Sequence, residues 1–259
     1  MSNEKPLLVE RHGPVGVLTL DRPKAHNALS RTLISALVQA LNEMENDGRI
    51  RVVVIAGSER TFCAGADIDE ITTMMGVPVL DPLPIDPLFE LLGRYRKPTV
   101  AAVRGLALGG GCEIALACDI AIAGQSARFG VPEVALGVLP GAGGTQRLVH
   151  ALGKAKAMKM LLTGDHVDAD YAYAAGLVAE VVSDTDVLDH ATALANRIAS
   201  NGPLAVQLAM NSARNAFEAT LAQGLTVERR NFHILLSSED AQEGVDAFLA
   251  KRPPQFTGQ

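Results

Sequence analysis

Apolar residues are spaced along this chain in two patterns, short unbroken runs and a four-residue repeat. Val15–Leu20 (V-G-V-L-T-L), Val52–Ala56 (V-V-V-I-A) and Thr99–Val103 (T-V-A-A-V) are short runs rich in β-branched residues, and each predicts a strand. The first is entered through His12-Gly13-Pro14, a turn-forming triplet. From about Ser30, Leu33, Leu37 and Leu41 recur every four residues and predict a helix, which Asp47-Gly48 stops. Residues 114–118 (I-A-L-A-C) favour a helix after the glycines at 109–111, and 119–123 (D-I-A-I-A) predicts a further strand. This alternation predicts an α/β fold with a largely parallel sheet. From about Gly144 onward the pattern is mostly helical, with a strand candidate at 177–182. Ser237 with Asp240 is read as the capping box of the last helix, and Pro253-Pro254 forbids its continuation. Between Met74 and Leu92 the helical pattern breaks down, because Pro78, Pro82, Pro84 and Pro87 are mixed with Met75, Leu80, Leu88 and Phe89. The segment is expected to be an irregular connection that also helps to wall a pocket.

Composition narrows the function class. With 259 residues, 48% of them hydrophobic, the chain has enough material for one large α/β domain or a domain with an appendage. The net charge of −6 and a pI near 5.5, with lysines and arginines dispersed, exclude the basic stripe of a nucleic-acid binder. The apolar runs are far shorter than the roughly 18 residues that span a bilayer, and Met1-Ser-Asn-Glu-Lys-Pro6 lacks an apolar signal core, so a cytoplasmic protein is expected. Cys63, Cys112 and Cys118 are too few and too irregular for a disulfide framework, and no His/Cys pairs suit zinc, so the cysteines are read as small buried residues. No metal site, phosphate loop or dinucleotide fingerprint is read, and His26 is expected to be exposed.

The chemistry is concentrated between Gly109 and Gln146. G-G-G-C-E at 109–113 sits where a strand gives way to a helix, and the first N–H groups of a helix lack partners and favour developing negative charge. F-C-A-G-A-D at 62–67 follows another strand and offers a second turn with uncovered amides. Two such turns aimed at one carbonyl oxygen would stabilise an enolate, each donor being worth about 3 kcal/mol of barrier. Glu113 lies among glycines and apolar residues, and Glu133 follows F-G-V-P in a segment otherwise short of charge. A glutamate in such surroundings needs a partner or a purpose. Two carboxyls sharing a poorly solvated pocket hold one proton between them, which suits an acid and a base acting together.

A-G-A-D-I at 64–68, G-G-G-C-E at 109–113, F-G-V-P-E at 129–133 and P-G-A-G-G-T-Q at 140–146 occur in order, and with them the chain resembles the crotonase superfamily, specifically its enoyl-CoA hydratases. L-T-L-D-R-P-K at 18–24, N-A-L at 27–29 and E-G-V-D-A-F-L at 243–249 extend the likeness over nearly the whole chain. The resemblance implies a crotonase-like spiral of β-β-α units over residues 1–199 and a helical C-terminal trimerisation region over 200–259. It implies a homotrimer or a hexamer built from two trimers. It places the oxyanion hole at the N–H groups of Ala66 and Gly110, the catalytic carboxylates at Glu113 and Glu133, and Gly141 at the pocket edge. Ala64, Asp67 and Ile68 would line the coenzyme A groove, Lys24 and Ala25 would flank its adenosine end, and Arg22 with Lys24 would gather its phosphates, with Lys251 and Arg252 as weaker candidates. No cofactor is implied beyond the coenzyme A that is part of the acyl-CoA substrate. Glu113 would polarise water and Glu133 would protonate the α-carbon. Asp21, where relatives often carry asparagine, departs from the pattern. Because the superfamily uses the same hole for other chemistry, an enoyl-CoA isomerase or another crotonase-type lyase is the alternative. A non-catalytic acyl-CoA or RNA-associated scaffold is a more distant one, opposed by the carboxylate pair and the missing basic patch.

Overall fold

Val52–Ala56 (β3) and Thr99–Val103 (β5) are buried at every position, and alternate residues enter different cores. Val52 and Val54 pack with Val100 and Ala102 on one face, while Val53 and Ile55 pack with Ala101 and Val103 on the other. Strands covered on both sides are unbroken apolar runs for this reason. The computed structural model describes residues 5–58, 60–74 and 83–259. Among them, six strands form the larger sheet in the order β1 (Leu7–His12), β2 (Val15–Leu20), β3, β5, β7 (Ile120–Gly124) and β10 (Glu180–Val182), parallel throughout except for β1. The smaller sheet runs β4 (Thr61–Cys63), β6 (Leu106–Leu108), β8 (Arg128–Gly130) and β9 (Val167–Asp168).

The chain therefore winds as a spiral. Each pass leaves one strand in the larger sheet and a three-residue strand in the smaller, then turns into a helix. β3 and β4 lead to α2 (Ile68–Met74), and β5 and β6 lead to α4 (Gly110–Ala117). β7 and β8 lead through a 3-10 segment, Pro132–Leu136, to α5 (Gly144–Leu152). The mouths of these passes bring the glycine-rich turns to one end of the smaller sheet. Helix α1 (Arg31–Asn46) begins at Ser30, whose hydroxyl accepts the Leu33 N–H, and buries Leu33, Leu37 and Leu41 as the four-residue repeat requires. Helices α6 (Lys154–Thr163), α7 (Ala169–Ala175), α8 (Val187–Ala199), α9 (Pro203–Arg214), α10 (Leu221–Leu236) and α11 (Glu239–Leu249) follow. Arg214 fastens α9 to the core through Asp119 (2.7 Å) and the Tyr95 carbonyl (2.7 Å). No helix among the described residues is long and apolar enough to cross a membrane.

Three expectations change. The proline-rich stretch 74–92 contains a regular helix, α3 (Asp86–Arg94), in which Pro87 occupies the first turn, where its missing N–H costs nothing, and Leu88, Phe89, Leu91 and Leu92 are buried. Met75, Pro78, Leu80 and Pro82 lie outside the described residues. The last helix is capped by Ser238, which accepts the Ala241 N–H, and not by Ser237; the Asp240 carboxylate instead takes the N–H groups of Thr257 and Gly258 from the returning C-terminal tail. The strand expected at 177–182 is limited to β10, with Leu177 and Val178 buried in the preceding loop.

Candidate active site

Two turns are pressed together backbone to backbone. After β4 the chain turns at Gly65 with φ +107°, and after β6 it turns at Gly109 with φ +49° before entering α4. A Cβ on Gly65 would lie 3.0 Å from the Leu108 carbonyl oxygen and 3.5 Å from Gly110 N, and one on Gly111 would lie 2.1 Å from the Cys63 carbonyl oxygen. Glycine is required here by close approach as well as by φ. Ala66 N is 3.7 Å from where a Gly110 Cβ would stand, so the two amides are neighbours. Among the described residues neither the Ala66 N–H nor the Gly110 N–H donates a hydrogen bond.

The Ala66 turn is held from behind by the 22–30 loop. Leu29 N donates to Gly65 O (2.8 Å), Asp67 N to Leu29 O (3.2 Å) and Ala64 N to His26 O (3.0 Å). Asn27, fully buried and in the left-handed region that asparagine tolerates, donates to the carbonyls of Thr61 (2.8 Å) and Phe62 (3.2 Å) and accepts from Arg22 N (2.8 Å). In the sequence Asn27 is marked only by the N-A-L likeness, because nothing in its neighbours shows that it would face β4. His26 is exposed.

Glu113, in the first turn of α4, is only 2% exposed, and its Oε1 accepts the N–H groups of Ala142 and Gly144, each at 2.8 Å. Glu133 lies in the 3-10 segment with Oε2 buried and unpartnered among the described residues, and its Oε1 is 3.0 Å from where a Gly109 Cβ would stand. The Glu133 carboxyl is thus next to the paired turns, and Glu113 follows them in the first turn of α4, close enough for its charge to act on Glu133. Burial raises the pKa of each. At Glu113 the two N–H bonds and the charge of Arg147 oppose the rise, whereas Glu133 has only its own main-chain N–H against burial and the Glu113 charge, and is pushed up to about 7. A carboxyl titration near pH 7, absent from Glu133→Gln, is the expected result of carbon-13 NMR on glutamate-labelled protein; a titration below 5 would contradict the geometry. Between the ordinary value of 4.5 and about 7 the folded chain holds this proton and the unfolded chain does not, so the group's contribution to stability falls as pH rises through that window.

The remaining residues expected at the site divide into two places. Ala64 and Asp67 flank the first turn, with Ala25 and exposed Lys24 on the adjoining 3-10 segment Pro23–Ala25 and Ile68, 66% exposed, opening α2. Gly141 is exposed, with open space where a side chain would be, on the turn that feeds Glu113. Arg22, expected to face phosphates, directs its guanidinium to the Asp67 carboxylate (3.0 Å) and the Ala28 carbonyl. Arg252 pairs with Glu243 on α11 (2.7 Å). Burial pushes the Cys63 thiol up to about 12 and Cys112 higher, so both stay protonated beside the turns. Arg147, which follows directly on the P-G-A-G-G-T-Q motif, is the charged residue that the sequence reading missed; its half-buried guanidinium donates to the Ala142 carbonyl at 2.9 Å. Among the described residues no group of three or more His, Cys, Asp or Glu is arranged to hold a metal.

Comparison with known proteins gives a consistent result. Residues 10–259 match the family model described as enoyl-CoA hydratase/isomerase. The chain is 47% identical over 252 residues to a probable enoyl-CoA hydratase of Rhizobium meliloti, covering 96% of this chain and 97% of the relative. It is 45% identical over 253 residues to the 2,3-dehydroadipyl-CoA hydratase of Escherichia coli K12, covering 97% and 98%. Among solved structures, it superposes on an enoyl-CoA hydratase from Bacillus anthracis with a TM-score of 0.92 at 35% identity, covering 98% of this chain and all of the other.

Proposed function

Because the chain belongs to the enoyl-CoA hydratase/isomerase family of the crotonase superfamily, we propose that it adds water reversibly across the conjugated double bond of a 2-enoyl-CoA thioester, giving the 3-hydroxyacyl-CoA. One juxtaposition supports this most strongly: two neighbouring main-chain N–H groups without acceptors among the described residues, at Ala66 and Gly110, near the buried Glu113 carboxyl and the half-buried Glu133 carboxyl, which have different hydrogen-bond environments. The thioester oxygen accepts from both amides. Glu113, whose two N–H donors favour its ionised form against the effect of burial, takes a proton from water as the water oxygen bonds to C3. The double-bond electrons pass through C2 toward the thioester oxygen, and the negative charge that forms there is what the two donors stabilise, by about 3 kcal/mol each. Glu133, whose pKa is pushed up to about 7 so that a substantial fraction holds its proton near neutral pH, delivers it to C2. Dehydration reverses each transfer, with Glu133 as base and Glu113 as acid.

Coenzyme A enters this reading as part of the substrate, along the mouth formed by Lys24, Ala25, Ala64, Asp67 and Ile68. Exposed apolar residues on the last helices, Leu221 at 79% and Phe248 at 83%, support assembly into a homo-oligomer, a trimer or a pair of trimers. A panel of 2-enoyl-CoA thioesters of increasing acyl length, followed by loss of the conjugated absorption, is the test. Loss of absorption with formation of the 3-hydroxy product is expected for at least one length. Migration of the double bond without hydration would favour the isomerase alternative, and no change with any length would reject the assignment.

A further inference from the structure

Arg147 is a half-buried guanidinium in an unfavourable place. It lies in the first turn of α5, where a cation opposes the helix dipole, and among the described residues no carboxylate is within ion-pair distance of it. Burial also works against its charge. A charged group placed at such a cost needs a compensating interaction nearby. Its Nη1 donates to the Ala142 carbonyl (2.9 Å), and the Nη1 end of the guanidinium is pressed against Gly143, where a Cβ would be only 2.0 Å from Nη1. Gly143, at φ +102°, thus leaves the room that the guanidinium fills. From the same turn, Ala142 N and Gly144 N both donate to Glu113 Oε1, while no donor among the described residues meets Glu113 Oε2.

We propose that Arg147 is a positioning residue of the hydration reaction: it braces the 142–144 turn so that two main-chain N–H groups grip one oxygen of Glu113 and leave the other free for water. This rests on the hydratase reading given above. The ionisable groups around Glu113 are Glu133 from the 3-10 segment, Arg147 from α5 and Cys112 on its own helix, with Cys118 beside Arg147; burial raises both thiols, so they stay neutral. Arg147 is therefore the nearby cation that favours the ionised form of Glu113.

Steady-state hydration kinetics of Arg147→Met and Arg147→Lys across pH test the proposal. For Arg147→Met, kcat is expected to fall about 10- to 100-fold with KM within about twofold, because a small misplacement of a reacting group costs this much. The acid limb of its kcat profile is expected to move up by about one pH unit, since removing a cation makes a carboxylate harder to ionise. Arg147→Lys should return the acid limb toward its original position while kcat stays low, because an ammonium restores the charge and not the planar brace. If Arg147→Met does not fold, Arg147→Lys decides: reduced kcat at unchanged KM supports the proposal, and wild-type kcat overturns it. Wild-type kcat and pH profile in Arg147→Met, with only a lower Tm, would also overturn it. Absence of hydration by the wild-type protein would reject the hydratase reading itself, and carbon-13 titration of Glu113 in the ligand-free variants still reports whether Arg147 controls that carboxyl.

Discussion

Glu133→Gln is expected to reduce kcat for hydration by about 10³-fold or more while the folded protein survives, and Glu113→Gln is expected to match it in activity but not in stability. The difference follows from what each oxygen touches. Glu133 Oε2 has no partner among the described residues and the pKa of its carboxyl is pushed up to about 7, so at pH 8 an amide of the same shape removes a buried charge while its carbonyl oxygen can still accept the residue's own main-chain N–H. For the reaction it removes the transferable proton. Glu113 accepts two N–H bonds on Oε1, and these weaken when the acceptor loses its charge. Glu113→Gln should therefore lower Tm at pH 8, whereas Glu133→Gln should leave it unchanged or raise it. The double variant should be little slower than either single one, because the two carboxyls act as a unit. Kinetics on a short 2-enoyl-CoA together with thermal unfolding at pH 8 read both effects. Unchanged hydration by either single variant would end the proposed pairing, and equal loss of Tm in both would mean that the contrast in their environments is wrong.

The strands that carry the large sheet were legible because burial on both faces leaves a composition no exposed segment has; β3 and β5 coincide with V-V-V-I-A and T-V-A-A-V. The strands of the small sheet were not. β4, β6 and β8 are three residues each, too short for any period, and their identity as strands depends on neighbours supplied by the next pass of the spiral. β1 escaped notice because five of its six residues are exposed and, at the edge of the sheet, β2 is the one strand it pairs with among the described residues. In the same way, Glu113 and the glycines stood out through local contrast, since a carboxyl among glycines has no ordinary explanation. Arg147 and Asn27 did not, because their roles are set by contacts across space: the first with a turn five residues back, the second with strand β4 more than thirty residues ahead. Arg22 shows the reverse case. Its position suggested a phosphate contact, and only the folded loop reveals Asp67 within its reach.

Gly110→Ala is expected to separate catalysis from folding at the site. Gly110 does not need a positive φ, and an added methyl would meet the Cδ1 end of the buried Leu29 side chain at 2.8 Å, which has to shift to admit it. The fold should survive at a cost of about 1–3 kcal/mol. The same methyl would stand 3.7 Å from Ala66 N, crowding the space in which a carbonyl oxygen has to meet both amides. A fall in kcat/KM of about 10²- to 10³-fold is expected, the loss associated with one oxyanion donor. One residue further on, Gly111→Ala should act in the opposite manner. Its methyl would lie 2.1 Å from the Cys63 carbonyl oxygen, and backbone packed against backbone has nowhere to move, so the cost is about 3 kcal/mol or more in stability. Parallel measurement of Tm and kcat/KM in the two variants is decisive because the substitutions are chemically identical and adjacent. If Gly110→Ala turns over substrate like the wild type, the oxygen does not bind between Ala66 and Gly110, and the enolate must be stabilised elsewhere.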